Sequence, residues 1–543
     1  MNKQTLLTVL GLGTASAAFA QTSITPANFG VVTNPSTGVY EITGDLTLTA
    51  GATLADSTYI LEGLTFVNAG NTITIEPGVV VRGQPRDGTN GPGALCVSRG
   101  AEIIADGSAS NPIIFTTAAD VNGERYTAGD TFMDADPKNN PMAPNVNLWG
   151  ALVLLGYAPT NTGAVDTGIS GEAFIEGFVI EDYRTTYGGL IPNDSSGILD
   201  YVSIRYSGDA TSINSETQGL TVGGVGYGTQ LTNIEIYGSG DDGIEIFGGT
   251  AALKNIAISY VDDDGLDMDQ GYTGLIQFAF LLASGLDNDI TTDNVCEWDG
   301  DDCCDSGSDD DNFNDAAQPT THPTIYNATI WGSRSGDGNP IETIGHAVRM
   351  RRGWGGQLNN SIIANFRADQ NGLFEVNNDS AGVATFAQFP SQLPYDQMVA
   401  GTFGVAGTMW FNVGDNTAAN VGESAETTNI LNATGQPGGF TGYPACTLNR
   451  IGGADTIADP GYGVFGTPGT YNQTIANGLN PVPTPAGNAQ NAAYLVPYTN
   501  LFFDEVNYAG AFEPNAFAAL WTTGWTALNT SGVLVDNAVG QNL

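Results

Sequence analysis

Lysine is almost missing from this chain. Only Lys3, Lys138 and Lys254 occur, and Lys and Arg together number 15 against 58 acids. Phosphate binding needs basic surface, so a chain of net charge −43 excludes nucleic acid as a partner and is repelled by anionic membranes. Cations are its natural counterparts, although acid excess also confers solubility in salty water. After the first twenty residues no apolar run approaches the roughly 18 residues of a membrane helix, so no span is expected. Histidine is limited to His322 and His346, and neither stands beside a Ser or Cys in a recognisable triad context. Long stretches of Ala, Glu, Lys and Leu are missing too, which excludes a helical protein. Cysteine is scarce: Cys96, Cys296, Cys303, Cys304 and Cys446. An odd count leaves at least one thiol unpaired within the chain; Cys296 has Cys303 and Cys304 within reach of a short loop. A zinc site is disfavoured, because no His lies near and the neighbours are hard oxygen donors.

What is plentiful is glycine, 73 of 543 residues, with short β-type runs between turns. This composition fits all-β structure. The N-terminus, MNKQTLLTVLGLGTASAAFAQ, has the basic residue, apolar centre and Ala18-Phe19-Ala20 site of a secretory signal peptide cleaved after Ala20. Export permits disulfides.

The most informative stretch is Leu231–Asp289. LTNIEIYGSGDDGIEIFGG (Leu231–Gly249) is followed 22 residues later by LKNIAISYVDDDGLDMDQG (Leu253–Gly271), and a third, looser copy contains FAFLLASGLDNDI (Phe278–Ile290). Gly243, Gly265 and Gly285 are equivalent in this alignment, and Glu245, Asp267 and Asp287 follow each by two. A period of about 20–25 residues with apolar alternation predicts a solenoid of stacked coils. The pattern Leu/Ile-x-Asn/Tyr-x-x-Ile recurs at Leu199, Leu231, Leu253, Ile325 and Leu358, with separations of 32, 22, 72 and 33 residues. Ile234, Ile236, Ile256 and Ile258 should point inward, and Ser203, Glu235 and Ala257 outward. Asn233 and Asn255 are expected to stack at a turn and satisfy backbone groups of neighbouring coils.

TITIEPGVVVRG followed by AEIIADGSASNPIIFTT resembles secreted bacterial right-handed parallel β-helix proteins of the pectate-lyase-like fold. The resemblance extends to NLWGALVLLG (Asn147–Gly156), the DDG rungs, HAVRMRRG (His346–Gly353) and FFDEVNYAGAF…WTTGWT (Phe502–Thr526). It implies a fold and a surface or extracellular setting, without a specified activity.

Three groups carry possible chemistry. The 22-residue offset places Asp241 over Asp263, Asp242 over Asp264 and Glu245 over Asp267, with Asp269 aligned to Asp289. Carboxylates stacked about 4.8 Å apart repel, and bound Ca²⁺, with its six to eight oxygen ligands, relieves the repulsion. Asp287, Asp289, Asp299 and Asp301, in or beside the Asp-rich insertion at 286–315, extend the candidate set. The competing reading makes the DDG triplets turn-formers, with Asp bonding its local backbone. Second, Asp241/Asp242 and Asp263/Asp264 superficially resemble the aspartate pair of β-helical polygalacturonases. The Gly-His-Gly and Arg-x-Lys that accompany it there are lacking; Gly345-His346-Ala347 is the nearest analogue. Third, Arg349 and Arg351 fall on one face of a strand, as glycan contacts or as counter-charges to an adjacent acidic coil.

The expectation is therefore an all-β chain. Residues 1–20 are a signal peptide and 21–39 an N-terminal lead-in; 40–385 form a right-handed parallel β-helix, and 386–543 wrapping loops and a cap over the last coil's open edge. No catalytic residue is assigned. The expected role is a secreted or cell-surface, adhesin-like binding protein, calcium-stabilised, whose partners are extracellular polysaccharide or envelope proteins. The alternative is a polysaccharide lyase or glycoside hydrolase acting on an acidic glycan.

Overall fold

The computed structural model describes, with short gaps, residues 22–120, 146–283, 292–300, 318–332, 345–376, 403–413, 448–452 and 480–534. The expected signal peptide and Cys303, Cys304 and Cys446 lie outside the described residues.

Short strands too small to be stable alone stack in parallel along three faces of a coil. In the early coils the first face holds Leu46–Leu48, Thr72–Ile75 and Glu102–Asp106, and the second holds Thr58–Leu61, Val80–Gly83 and Ile113–Thr117. The third holds Leu64–Val67, Ala94–Val97 and Leu152–Leu155, and continues through Leu220–Gly223, Ile244–Phe247, Leu266–Asp269, Cys296–Asp299, Val348–Arg351 and Phe374–Val376. From Gly197 the first two faces are joined in single long strands: Gly197–Ser207, Gln230–Ser239, Ala252–Val261 and Leu275–Leu282. Each of these turns the corner between the two faces at a residue of positive φ: Tyr201 (51°), Asn233 (50°), Asn255 (59°) and Phe278 (59°). The product is a parallel β-helix.

Alternation fills its interior. Leu199, Leu231, Leu253, Ile276, Ile325, Leu358 and Val405 stand one above another and are all buried. Each such aliphatic side chain contributes about 1.5–3 kcal/mol by burial. The stack explains the 72-residue gap in the sequence pattern. Ile276-Phe278-Leu281 is a further rung with Phe where the other rungs carry Asn or Tyr. Cys296 joins the interior stack of the third face as a free thiol, so it does not close the short loop considered above.

Four other expectations change. The spine runs past residue 385, because Gly404–Ala406, Met409–Phe411 and Arg450–Gly452 pair in parallel with it. The Asp-rich 286–315 stretch is not one insertion, since Cys296–Asp299 within it is a rung of the third face. Asn255 donates its side-chain amide to the Asn233 side chain (3.0 Å), and Asn233 donates to Asp200 (2.7 Å), so this corner ladder bonds side chain to side chain rather than to backbone.

Finally, the described part of the C-terminal segment does not lie over an open edge. It runs as a strap along the outside of the first and second faces and the corner between them. Val496 pairs through backbone N–H and C=O with Asn360, and Asp504 does the same with Gln277. Phe512 packs on Phe280, and Trp525 on Tyr201. Glu235 points outward as expected, yet it is fully buried. Its carboxylate accepts from the N–H groups of Ala527 (2.7 Å) and Leu528 (3.0 Å) and from the Ser203 hydroxyl (2.6 Å).

Candidate metal centre

The outward positions of the third face form rows that follow from strand register. One row runs Thr221, Glu245, Asp267, Glu297, Arg349, Glu375. The next runs Gly223, Phe247, Asp269, then Asp299 and Arg351. Leu266, Met268, Cys296 and Trp298 occupy the alternate, inward positions and anchor the acids on a rigid core. In the turn just before these strands, Asp264 N–H donates to Asp242 Oδ1 (2.8 Å) and Asn294 N–H to Asp264 Oδ1 (2.6 Å). Asp242 and Asp264 of the DDG turns thus each cap the backbone of the next coil.

Asp242, Glu245 and Asp264 are 7%, 6% and 5% exposed. One carboxylate oxygen each from Asp242, Glu245 and Asp267 lies within 4.8 Å of the others. The same holds for Asp241/Asp242/Asp263, for Asp263/Asp264/Asp293 and for Asp264/Asp267/Glu297. Burial, and then the neighbouring carboxylates, hold Asp242, Glu245 and Asp264 well above the usual carboxylate range. Glu245 Oε2 is buried without a hydrogen-bond partner.

Two structures flank this cluster. Upstream, the 156–188 loop folds back over the third face as an antiparallel hairpin, Glu172–Phe174 with Thr186–Gly188. It covers the row above Glu245: Phe178 packs on Phe66, Tyr187 on Phe247, and Arg184 pairs with Glu41 at 2.7 Å. Downstream, the rows change sign. Arg349 bonds Glu375 (2.7 Å) and Glu297 (3.1 Å); Arg351 bonds Asp299 (2.7 Å) and Glu297. His346 Nδ1 meets Asn294 Oδ1 at 2.8 Å. Burial works against the Arg351 charge, but Asp299 and Glu297 more than offset it, and its pKa is raised.

Six of the sequence-predicted acids, Asp241, Asp242, Glu245, Asp263, Asp264 and Asp267, therefore converge. Asp269 stands in the adjacent row, and its register partner is Asp299, not Asp289. The alignment of Gly285 and Asp287 with the earlier copies fails for the same reason: Asp267 faces Glu297, 30 residues on, where the sequence reading assumed the shorter repeat. Asp287, Asp289 and Asp301 lie outside the described residues. Asp299 is engaged by Arg351, and the guanidinium groups of Arg349 and Arg351 are turned toward acids. Asp293, Glu297 and Glu176 were missed. For Glu297 a signal existed, because CEWD (296–299) has the alternation of LDMD (266–269).

A three-faced parallel coil over this length points to one architecture. A family model described as a pectate-lyase-like β-helix domain matches residues 40–130 and 138–437. The chain belongs to that family. No curated protein and no solved structure matches it. Among the described residues of this pectate-lyase-like β-helix, no helix is long and apolar enough to cross a membrane.

The donor set suits a hard cation. Two oxygens bound to one Ca²⁺ at about 2.4 Å are at most about 4.8 Å apart, and the Asp242, Glu245 and Asp267 oxygens lie within 4.8 Å of one another. Carboxylate oxygens favour Ca²⁺ or Mg²⁺ over the thiol- and imidazole-seeking metals. Glu297 and Asp299 are bonded to arginine, whereas Asp242 and Glu245 at the upstream end are surrounded mainly by other carboxylates.

Proposed function

We propose that the protein is a secreted or cell-surface β-helix that carries Ca²⁺ on its acidic ladder and contacts acidic extracellular polysaccharide. The carrying observation is Glu245: a buried carboxylate with an unpartnered oxygen, converging with Asp242 and Asp267 on a point that a cation fits. Burying such carboxylates together is costly unless a charge of opposite sign joins them. Family membership supports polysaccharide as the partner class. Binding is favoured over cleavage because Arg349 and Arg351, the basic groups nearest the ladder that could serve a β-eliminating lyase, are held by Glu297, Asp299 and Glu375. An adhesin-like role follows from a rigid rod with a calcium-loaded face.

Affinity electrophoresis through gels containing polygalacturonate tests this reading. Migration is expected to be retarded in calcium and restored by chelator or by Asp267→Asn. Equal migration with and without the polymer would overturn it, and release of unsaturated sugars would transfer the assignment to a lyase.

A further inference from the structure

The hairpin that roofs the third face meets the acidic ladder through a carboxylate of its own. Glu176, between its two strands, accepts a hydrogen bond from the Gln218 side-chain nitrogen at 2.7 Å, and the same nitrogen lies 3.3 Å from Asp241. The Gln218 carbonyl oxygen is fixed in turn by the Thr221 hydroxyl (2.6 Å). One amide therefore joins an acid of the roof to an acid of the ladder. After burial itself, the Glu176 charge is the strongest influence on the Glu245 carboxyl group. The hairpin's other anchors are cationic: Arg184 bonds Asp182 and Glu41, and Arg99 pairs with Glu172 at 2.9 Å. At the ladder the roof meets acid instead, with only the neutral Gln218 amide between Glu176 and Asp241.

We infer that the cation bound by Asp242, Glu245 and Asp267 also locks the roof: with the ladder neutralised, Glu176 and its hairpin close on the coil, and without the ion the hairpin opens. This rests on the calcium reading above and adds a mechanical consequence. Glu176 is a positioning residue. It is absent from the groups whose oxygens converge within 4.8 Å, and it acts on the ion through the ladder's field. Opening would expose Phe66, Cys96 and Val153, upstream in the Glu245 row, together with Phe247 of the next row, all apolar and now under Phe178, Ile175 and Tyr187. Calcium would thereby decide whether this surface is covered.

Amide hydrogen exchange on the full chain, with and without calcium and beside a calorimetric calcium titration, tests the coupling. In the wild type, saturating calcium is expected to slow exchange of the paired hairpin amides in 172–174 and 186–188 by about tenfold. In Glu176→Gln the calorimetric binding should persist, because the three ligands remain. The hairpin should already be protected in chelator, and calcium should change its exchange by less than about twofold. Calcium binding that leaves wild-type hairpin exchange unchanged would overturn the coupling while sparing the metal reading. So would a Glu176→Gln variant that responds to calcium as the wild type does. A flat calorimetric titration would remove both.

Discussion

The same coils present two outward surfaces, and each carries buried acid in an opposite setting. On the second face, Glu235 lies under the C-terminal strap with two backbone N–H groups and a hydroxyl directed at it, and with Arg205 as the nearest charge. On the third face, Asp242, Glu245 and Asp264 are buried mainly among other carboxylates. Acid at the first place holds two segments together. Acid at the second is packed mainly against other acid, where the proposed cation would relieve the repulsion. Burial alone does not tell these apart; the donors around the carboxylate do.

That contrast is easiest to break by removing one acid from each surface. Glu235→Ala leaves the Ala527 and Leu528 N–H groups and the Ser203 hydroxyl without their acceptor, and should cost about 2–4 kcal/mol in chemical denaturation whether or not calcium is present. A loss below about 0.5 kcal/mol would mean that the strap is held by its apolar contacts alone.

Proton linkage tests the third face next, through its response to calcium. Asp242, Glu245 and Asp264 titrate above the usual carboxylate range when folded, so their protonated forms favour the folded state. That stabilisation is fully present below the unfolded pKa and is lost as pH rises through the raised values. The chelated protein should therefore melt at lower temperature at about pH 8 than at about pH 5, and calcium should narrow the gap. A chelated protein that melts higher at the alkaline end would contradict the ladder electrostatics.

The third test reverses the sign of the first. Glu245→Gln removes one of the repelling charges and should stabilise the chelated protein by about 1 kcal/mol while abolishing most of its response to calcium. Destabilisation in chelator would place Glu245 in the same class as Glu235.

The remaining test falls on the corner between the first and second faces. Asn255 sits at φ 59° and bonds Asn233, so Asn255→Ala loses both a tolerated left-handed residue and a ladder bond, at about 1–2 kcal/mol. Asn255→Gly should recover the backbone part of that loss, and an unchanged midpoint for the alanine variant would show that the corner carries no weight.

Much of the spine was legible, because period-2 alternation fixes which residues enter the coil: Leu231, Ile234 and Ile236 are inward as expected. The rung at Ile276 escaped notice because Phe278 replaces the corner Asn or Tyr while keeping its backbone conformation. The strap was not legible from position, although its imprint was present. Phe280, Ile362 and Met409 are outward residues that are apolar, which water-facing positions on a coil rarely are. At the site, Asp242, Asp264, Glu245 and Asp267 followed from the repeat. Glu297 did not, because an insertion between coils lengthens the offset, and sequence spacing cannot tell an inserted loop from a shifted rung; Arg349 and Arg351 were legible from strand alternation as counter-charges to an acidic coil. Glu176 lies outside the repeat altogether, and only the folded-back hairpin brings it to the ladder.

The central claim concerns where a cation sits. Crystals grown with calcium and then exchanged into terbium, with anomalous diffraction recorded at the terbium edge, locate it directly. A peak bounded by Asp242, Glu245 and Asp267 is the predicted result. A ladder without a peak, or a peak confined to the Arg351-paired carboxylate of Asp299, would contradict it.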